Sequence, residues 1–305
     1  MERPAVIHVV AGALADADGR VLIAQRPRGR HMAGRWEFPG GKLAAGEEPL
    51  DGLKRELAEE LGVSVRAARP LIRLRHDYPD RRVLLDVWQV TDYEGEPQAL
   101  DAQALAWAKP DDLPQHDLLE ANRAIVTALR LPRLARVLAP GESLKSIRGR
   151  AAQTILVPLP AEGGAELDAN DVLRARAAGH RIFVMGTDVE VVRVAAMARC
   201  DGVLMRWQGQ SLHIDHGGAF LVGVHCEDAD GATRAVADGA HFIVFAPEDG
   251  SPSERLLERL CRLLGRPVFA GWHADARLLE RLQQLGAHGC AVGAGSHSSH
   301  LSIRR

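Results

Sequence analysis

The sequence predicts an α/β protein of two domains, and three observations predict it. The chain has 305 residues, and at roughly 150 residues per domain that length favours two. Hydrophobic residues make up 46% and charged residues 26%, which supplies two ordinary cores and excludes a disordered or fibrous chain. The pattern of apolar runs then changes partway along. Residues 1–131 hold strands with a helical stretch on either side, the pattern of an α/β/α sandwich, and residues 132–305 alternate short strands with amphipathic helices.

In the first part, Ala5–Leu14 and Val21–Gln25 are apolar runs separated by Ala-Asp-Gly, a hairpin signal. Leu71–Arg75 and Val83–Val90 form a second strand pair around Tyr78-Pro79-Asp80. Pro49–Leu61 predicts a helix because Leu50, Leu53, Leu57 and Leu61 fall on one stripe, and Leu118–Leu131 predicts another. Pro132 marks the boundary. Beyond it, the strand candidates are 135–138, 154–159, 181–185, 202–206, 220–224, 242–245, 267–270 and 289–292. Helices are expected at 170–178, 189–198, 230–239, 253–264 and 274–285, and a short one in the polar stretch 141–152. Eight such units match a small (β/α)8 barrel, and a doubly wound sheet gives the same alternation.

Charge excludes one class of partner. Residues 1–131 carry 18 basic and 21 acidic side chains, and the remainder 20 and 19, so neither part has the basic excess that tracking a nucleic-acid polymer requires. No uncharged apolar run reaches the roughly 18 residues of a membrane helix, and residues 1–20 lack the pattern of a signal peptide. Cys200, Cys226, Cys261 and Cys290 form no C-x-x-C and are expected as reduced thiols in a cytoplasmic protein. A small nucleotide remains open as a partner, and the oligomeric state is not legible.

The strongest signal lies in residues 41–63, GKLAAGEEPLDGLKRELAEELGV. Gly41, Glu47, Arg55, Glu56, Leu57, Glu59, Glu60, Gly62 and Val63 fit G-x5-E-x7-R-E-U-x-E-E-x-G-U (U aliphatic) at every position. Glu56, Glu59 and Glu60 stand at i, i+3 and i+4, on one helix face beside the leucine stripe. Like charges so close repel one another, and a divalent cation relieves the repulsion. Oxygen-only ligands favour a hard ion, Mg²⁺ or Mn²⁺.

This segment is identified as a Nudix box. The resemblance implies that Arg55 pairs with Glu47 and orients Glu56, that Glu56, Glu59 and Glu60 hold the metal, and that the Gly40 carbonyl is a further ligand. The flanking segments AQRPRGRHMAGRWEFPGGK (24–42), YPDRRVLLDVW (78–88) and YEGEP (93–97) are similar to the MutT branch of Nudix hydrolases, which removes pyrophosphate from oxidised guanine nucleotides. In that branch an acidic residue after the last long strand adds to the metal site, and Asp101 falls there where glutamate is usual. Asn122 matches the residue that reads the purine edge. Arg26 and His31 match positions that approach the nucleotide, and Phe38 and Tyr78 match pocket walls.

The second part resembles the thiamine phosphate synthase and TenI family of small (β/α)8 barrels, through CDGVLM (200–205), residues 220–247, RPVFAGW (266–272) and LGAHGCAVGAG (285–295). The resemblance implies a barrel that kept its core and lost its synthase site. Gly186-Thr187-Asp188 replaces an Asn-Asp-Arg, residues 247–254 contain no lysine, and Trp272 replaces a glycine. The expected activity is thus a Mg²⁺-dependent pyrophosphohydrolase acting on 8-oxo-dGTP, a guard of the nucleotide pool against mutation. A Nudix hydrolase of another nucleoside diphosphate derivative and a thiamine-pathway activity are the alternatives.

Overall fold

The computed structural model describes all residues except 1–5, 30, 79–80, 140, 148–150, 160–166, 210–211, 213–219, 248–252, 272–277 and 294–305. The chain divides into two compact units, Met1–Arg130 and Leu131–Arg305.

The first unit contains two three-stranded sheets. In one, β1 (Val6–Leu14) runs parallel to β5 (Arg82–Glu94), which pairs antiparallel with β4 (Ser64–Asp77). In the other, β2 (Val21–Gln25) lies antiparallel between β3 (Trp36–Glu37) and β6 (Ala104–Ala108). Helix α1 (Pro49–Leu61) closes one apolar core with Val10, Leu14, Leu22 and Val90, and α2 (Asn122–Arg130) closes another with Ala11, Ile23, Leu85 and Val87. The result is an α/β/α sandwich.

The hairpin expected between β1 and β2 is a correction. An isolated antiparallel bridge, Ala15↔Val21, joins their ends, and the two strands then enter different sheets. The turn itself closes, with Asp16 accepting at its side chain from the Asp18 and Arg20 amides. The turn signal is local, whereas the partner of a strand is chosen by burial. Val21, Leu22, Ile23 and Ala24 are all buried, so β2 belongs between two strands of its own sheet. The second helix also starts later than predicted. Before Asn122, the Leu119 amide donates to the Trp36 carbonyl and ties residues 118–119 to β3 instead.

The bounds of α1 follow from its ends. Pro49 is pre-organised for a first turn, and Gly62 at φ 69° lets its own amide and that of Val63 return to the Ala58 and Leu57 carbonyls. Leu53, Leu57 and Leu61 are fully buried, each contributing about 2 kcal/mol of transfer energy. That burial fixes the helix's rotation and so the direction of its glutamates.

The second unit is a closed barrel of eight parallel strands. They are β7 (Leu134–Val137), β8 (Thr154–Pro158), β9 (Arg181–Gly186), β10 (Gly202–Arg206), β11 (Leu221–Cys226), β12 (Phe242–Phe245), β13 (Val268–Ala270) and β14 (Gly289–Val292). The sheet closes because β14 pairs with β7. Outside it lie α3 (Ala169–Ala177), α4 (Glu190–Met197), α5 (Ala229–Ala237), α6 (Glu254–Leu264) and α7 (Leu279–Gln284). The helix expected in 141–152 is a single 3-10 turn, Leu144–Ser146; residues 148–150 lie outside the described set. The interior is filled by Phe183, Phe242 and Phe269, with Phe242 edge-on to both at 5.3 and 5.9 Å between ring centres. Gly223 makes room for this stack, since a Cβ there would lie 2.1 Å from the Phe242 ring. Trp272 and residues 248–252 of the 247–254 segment lie outside the described residues. All four cysteines are buried thiols outside any disulfide.

Candidate functional site

A cavity of about 570 Å³ opens in the first unit. Its walls carry the carboxylates Glu56, Glu59, Glu60 and Asp101 together with Phe38, Tyr78 and Asn122. Arg26, His31, Gly40 and Gly41 line it as well. Of the candidate catalytic, metal and substrate residues, Glu47 and Arg55 do not line it.

Arg55 organises the carboxylates. Its Nε and Nη2 donate to the two oxygens of Glu47, each at 2.9 Å, in a bidentate pair. Its Nη1 donates to Glu56 Oε1 at 2.9 Å and to Glu59 Oε2 at 3.2 Å, and Nη2 also reaches the Lys42 carbonyl at 3.1 Å. The guanidinium beside Glu47, helped by the Ala44 amide, lowers that carboxyl to about pH 2. Arg55 is raised in turn by Glu47 and Glu56.

Two glycines let the chain pass close to these groups. Gly40 sits at φ 144°, and a Cβ there would meet the Val10 carbonyl oxygen at 2.2 Å. At Gly41 a Cβ would fall 2.2 Å from Glu56 Oε2, so the Glu56 carboxylate rests directly against the glycine backbone. The Gly40 amide donates to Glu60 Oε2 at 3.0 Å. Glu60 is otherwise largely buried, and that burial raises its carboxyl to about 7 despite the bond, with Glu56, Glu37 and Asp101 pushing in the same direction. Protonating a carboxylate at neutral pH or placing a cation beside it are the two ways to relieve such a site.

An all-oxygen donor set suits a hard divalent ion. As the side chains lie, no three His, Cys, Asp or Glu among the described residues converge on one point at metal-binding geometry. The reason is visible in the bonds: Arg55 holds Glu56 and Glu59, and the Gly40 amide holds Glu60.

Aromatic and polar side chains share the rest of the lining. Phe38 is buried and belongs to the core as well as the wall. Tyr78 packs edge-on against His76 at 4.4 Å, and the Arg81 guanidinium lies 6.0 Å from the Tyr78 ring centre. Asn122 opens α2 and is 4% exposed, yet its Nδ2 finds no acceptor. Leaving a buried amide donor unmet costs free energy, and a ligand's acceptor would recover it.

Arg26 does not project freely. Its Nη1 donates to Glu37 Oε2 at 2.6 Å and its Nε to the His31 carbonyl at 2.8 Å. It therefore braces the loop that carries His31, which is exposed at the rim. Sequence reasoning missed Glu37, Arg81 and Gln103. Glu37 had a signal, since it directly follows Trp36 on the strand leading into Gly40-Gly41.

Comparison with known proteins places these features in a family. Residues 10–128 match the model of the NUDIX domain. The chain is 46% identical over 90 residues to the 8-oxo-dGTP diphosphatase of Proteus vulgaris, which covers 30% of this chain and 80% of that protein. It is 37% identical over 131 residues to the CTP pyrophosphohydrolase of Escherichia coli, 43% of this chain and 96% of that one. It is 32% identical over 124 residues to the Escherichia coli 8-oxo-dGTP diphosphatase, 41% of this chain and 96% of that protein.

Proposed function

Because this chain belongs to the Nudix hydrolase family, we propose that it is a Mg²⁺-dependent nucleoside triphosphate pyrophosphohydrolase that prefers 8-oxo-dGTP. The observation that carries the substrate is Asn122, a buried amide on the cavity wall with an unmet Nδ2 donor. Ordinary guanine presents N7 and O6 as two acceptors. In 8-oxoguanine N7 carries a hydrogen, so the edge offers a donor beside an acceptor. An asparagine amide matches that pair with its own acceptor and donor.

Glu56, Glu59, Glu60, Asp101 and the Gly40 carbonyl would hold Mg²⁺ or Mn²⁺. When bound, the ion supplies charge for the phosphate oxygens and lowers the cost of activating water. The chain's own residues do the rest. Arg55 fixes Glu56 and Glu59, the glycine turn keeps the backbone clear of the phosphates, and one helix carboxylate takes the proton of the attacking water. The water oxygen bonds to phosphorus, a bridging P–O bond breaks, and nucleoside monophosphate and pyrophosphate leave. Such a cleanup of the nucleotide pool protects DNA from mutation. No helix among the described residues is long and apolar enough to cross a membrane.

A second reading has an observation of its own. The relative named CTP pyrophosphohydrolase aligns over nearly its whole length, and cytosine also presents a carbonyl to an amide donor. Pyrophosphate release by the full chain from 8-oxo-dGTP, dGTP, CTP and ADP-ribose decides between them. The proposal expects the highest kcat/KM for 8-oxo-dGTP; a higher value for CTP overturns the substrate and keeps the chemistry.

For the barrel we propose a degenerate relative of thiamine phosphate synthase without that activity. Gly186-Thr187-Asp188 at the end of β9 offers no cation to a pyrophosphate. The packed phenylalanine interior supports a retained core.

A further inference from the structure

The segment between β5 and β6 delivers Asp101 to the cavity, and its own bonds show how. The Gln98 amide donates to the Leu61 carbonyl at 2.9 Å and the Leu100 amide to the Glu60 carbonyl at 3.2 Å, so the segment satisfies the open end of α1. Gln103 adds a third tie. Its Nε2 donates to the Glu60 carbonyl at 3.1 Å, while its Oε1 accepts from the Asp101 amide at 2.8 Å. Gln103 is 7% exposed, although Asp101, Ala102 and Ala104 around it are exposed. Ala102 between the two stands at φ 57°, a left-handed conformation that non-glycine residues avoid. A turn of that shape needs to be held, and the buried amide holds it.

We infer that Gln103 is the positioning residue that brings the Asp101 carboxylate up to Glu56, Glu59 and Glu60, a role that rests on reading those carboxylates as a cation site. The chemistry asks for such a device. An aspartate is one methylene shorter than a glutamate, so its backbone must lie nearer the shared ion. One side chain bridges the backbone of the last glutamate of α1 and the backbone of Asp101, and so sets the distance between them. Both polar ends of the amide are used in these two bonds, and Gln103 itself does not line the cavity.

The test is Mn²⁺ binding to the full chain, followed by the loss of the free-ion paramagnetic signal, with a thermal melt beside each titration. Removing a residue that orients a metal ligand costs about 10- to 100-fold in affinity. Gln103→Leu and Asp101→Ala are each expected to weaken Mn²⁺ binding on that scale. The double variant is expected to match Asp101→Ala alone, because Gln103 acts only through Asp101. Asp101→Glu placed on Gln103→Leu is expected to restore most of the affinity, since the longer side chain no longer needs the backbone drawn in. Should Gln103→Leu fail to fold, Gln103→Glu is read in its place; it keeps an acceptor for the Asp101 amide and loses the donor to Glu60. Wild-type affinity in the Gln103 variants, or a double variant weaker than Asp101→Ala, or no rescue by glutamate overturns the inference. Absence of Mn²⁺ binding by the wild-type chain instead overturns the cation site itself.

Discussion

The Glu60 carboxylate accepts a hydrogen bond from the Gly40 amide at 3.0 Å, which ties the last turn of α1 to the glycine turn it faces. This bond keeps a largely buried carboxyl in place, but it does not offset the burial that raises that group to about 7. The relation gives the metal-free protein a pH signature. A free glutamate titrates at 4.5, so between 4.5 and about 7 the native state holds a proton that the unfolded chain has released. Unfolding then loses a proton, and stability falls as pH rises through that window. Melting temperatures of the chelator-treated protein are expected to drop from pH 4.5 to 7 more steeply than those of Glu60→Gln. Equal slopes would show that Glu60 titrates normally.

Gly41 and Gly40 separate activity from stability. Gly41→Ala places a methyl group 2.2 Å from Glu56 Oε2, the end of a side chain that can swing away. Turnover is expected to fall about 10²-fold, the scale of a misplacement of about 1 Å, with a melt close to wild type. Gly40→Ala meets the Val10 backbone carbonyl at 2.2 Å and cannot be relieved by a side chain. Its melting temperature is expected to fall by several degrees. The reverse ranking of the two melts would contradict the packing described.

Asn122→Ala should leave the metal chemistry intact and shrink the preference for 8-oxo-dGTP over dGTP. A site built to hydrogen-bond one group discriminates by leaving its own polar atoms unmet with the wrong substrate. Steady-state kcat/KM for both nucleotides checks this, and an unchanged ratio removes Asn122 from base recognition. The wild-type amide already has a buried, unmet Nδ2, so the variant is expected to melt no lower than wild type.

No thiamine phosphate synthesis is expected from the intact chain, and a folded fragment 1–131 is expected to keep most hydrolase activity. Every residue assigned to chemistry lies before Leu131. Synthase turnover above background contradicts the first expectation. A folded fragment that does not hydrolyse nucleotide contradicts the second and assigns the barrel a part in the site.

What could be read from the sequence was whatever lies close in sequence. Pro49 and Gly62 punctuate α1, its leucines set its rotation, and the three glutamates follow from that geometry. The eight strands of the barrel were legible because each is a short buried run between turn residues, while their closure into a ring is a matter of tertiary pairing between β14 and β7. The β1–β2 hairpin was misread for the same reason: Ala-Asp-Gly makes a turn, but burial sends each strand to a different partner. Gln103 left no trace, since its role is a bond to the Glu60 carbonyl 43 positions earlier. Arg26 lines the cavity as its position implied, while its bonds to Glu37 and the His31 carbonyl are tertiary pairings that the spacing does not announce.

The central claim is that the α1 carboxylates carry a hydrolysis of the nucleotide's phosphate chain, and turnover of 8-oxo-dGTP by the Glu56→Gln/Glu60→Gln double variant tests it most directly. The substitutions keep shape and remove charge. With saturating Mg²⁺ and nucleotide, pyrophosphate release is expected to fall by about 10²-fold or more, the scale of losing one electrostatic stabiliser. A folded double variant that releases pyrophosphate at close to the wild-type rate would contradict the account.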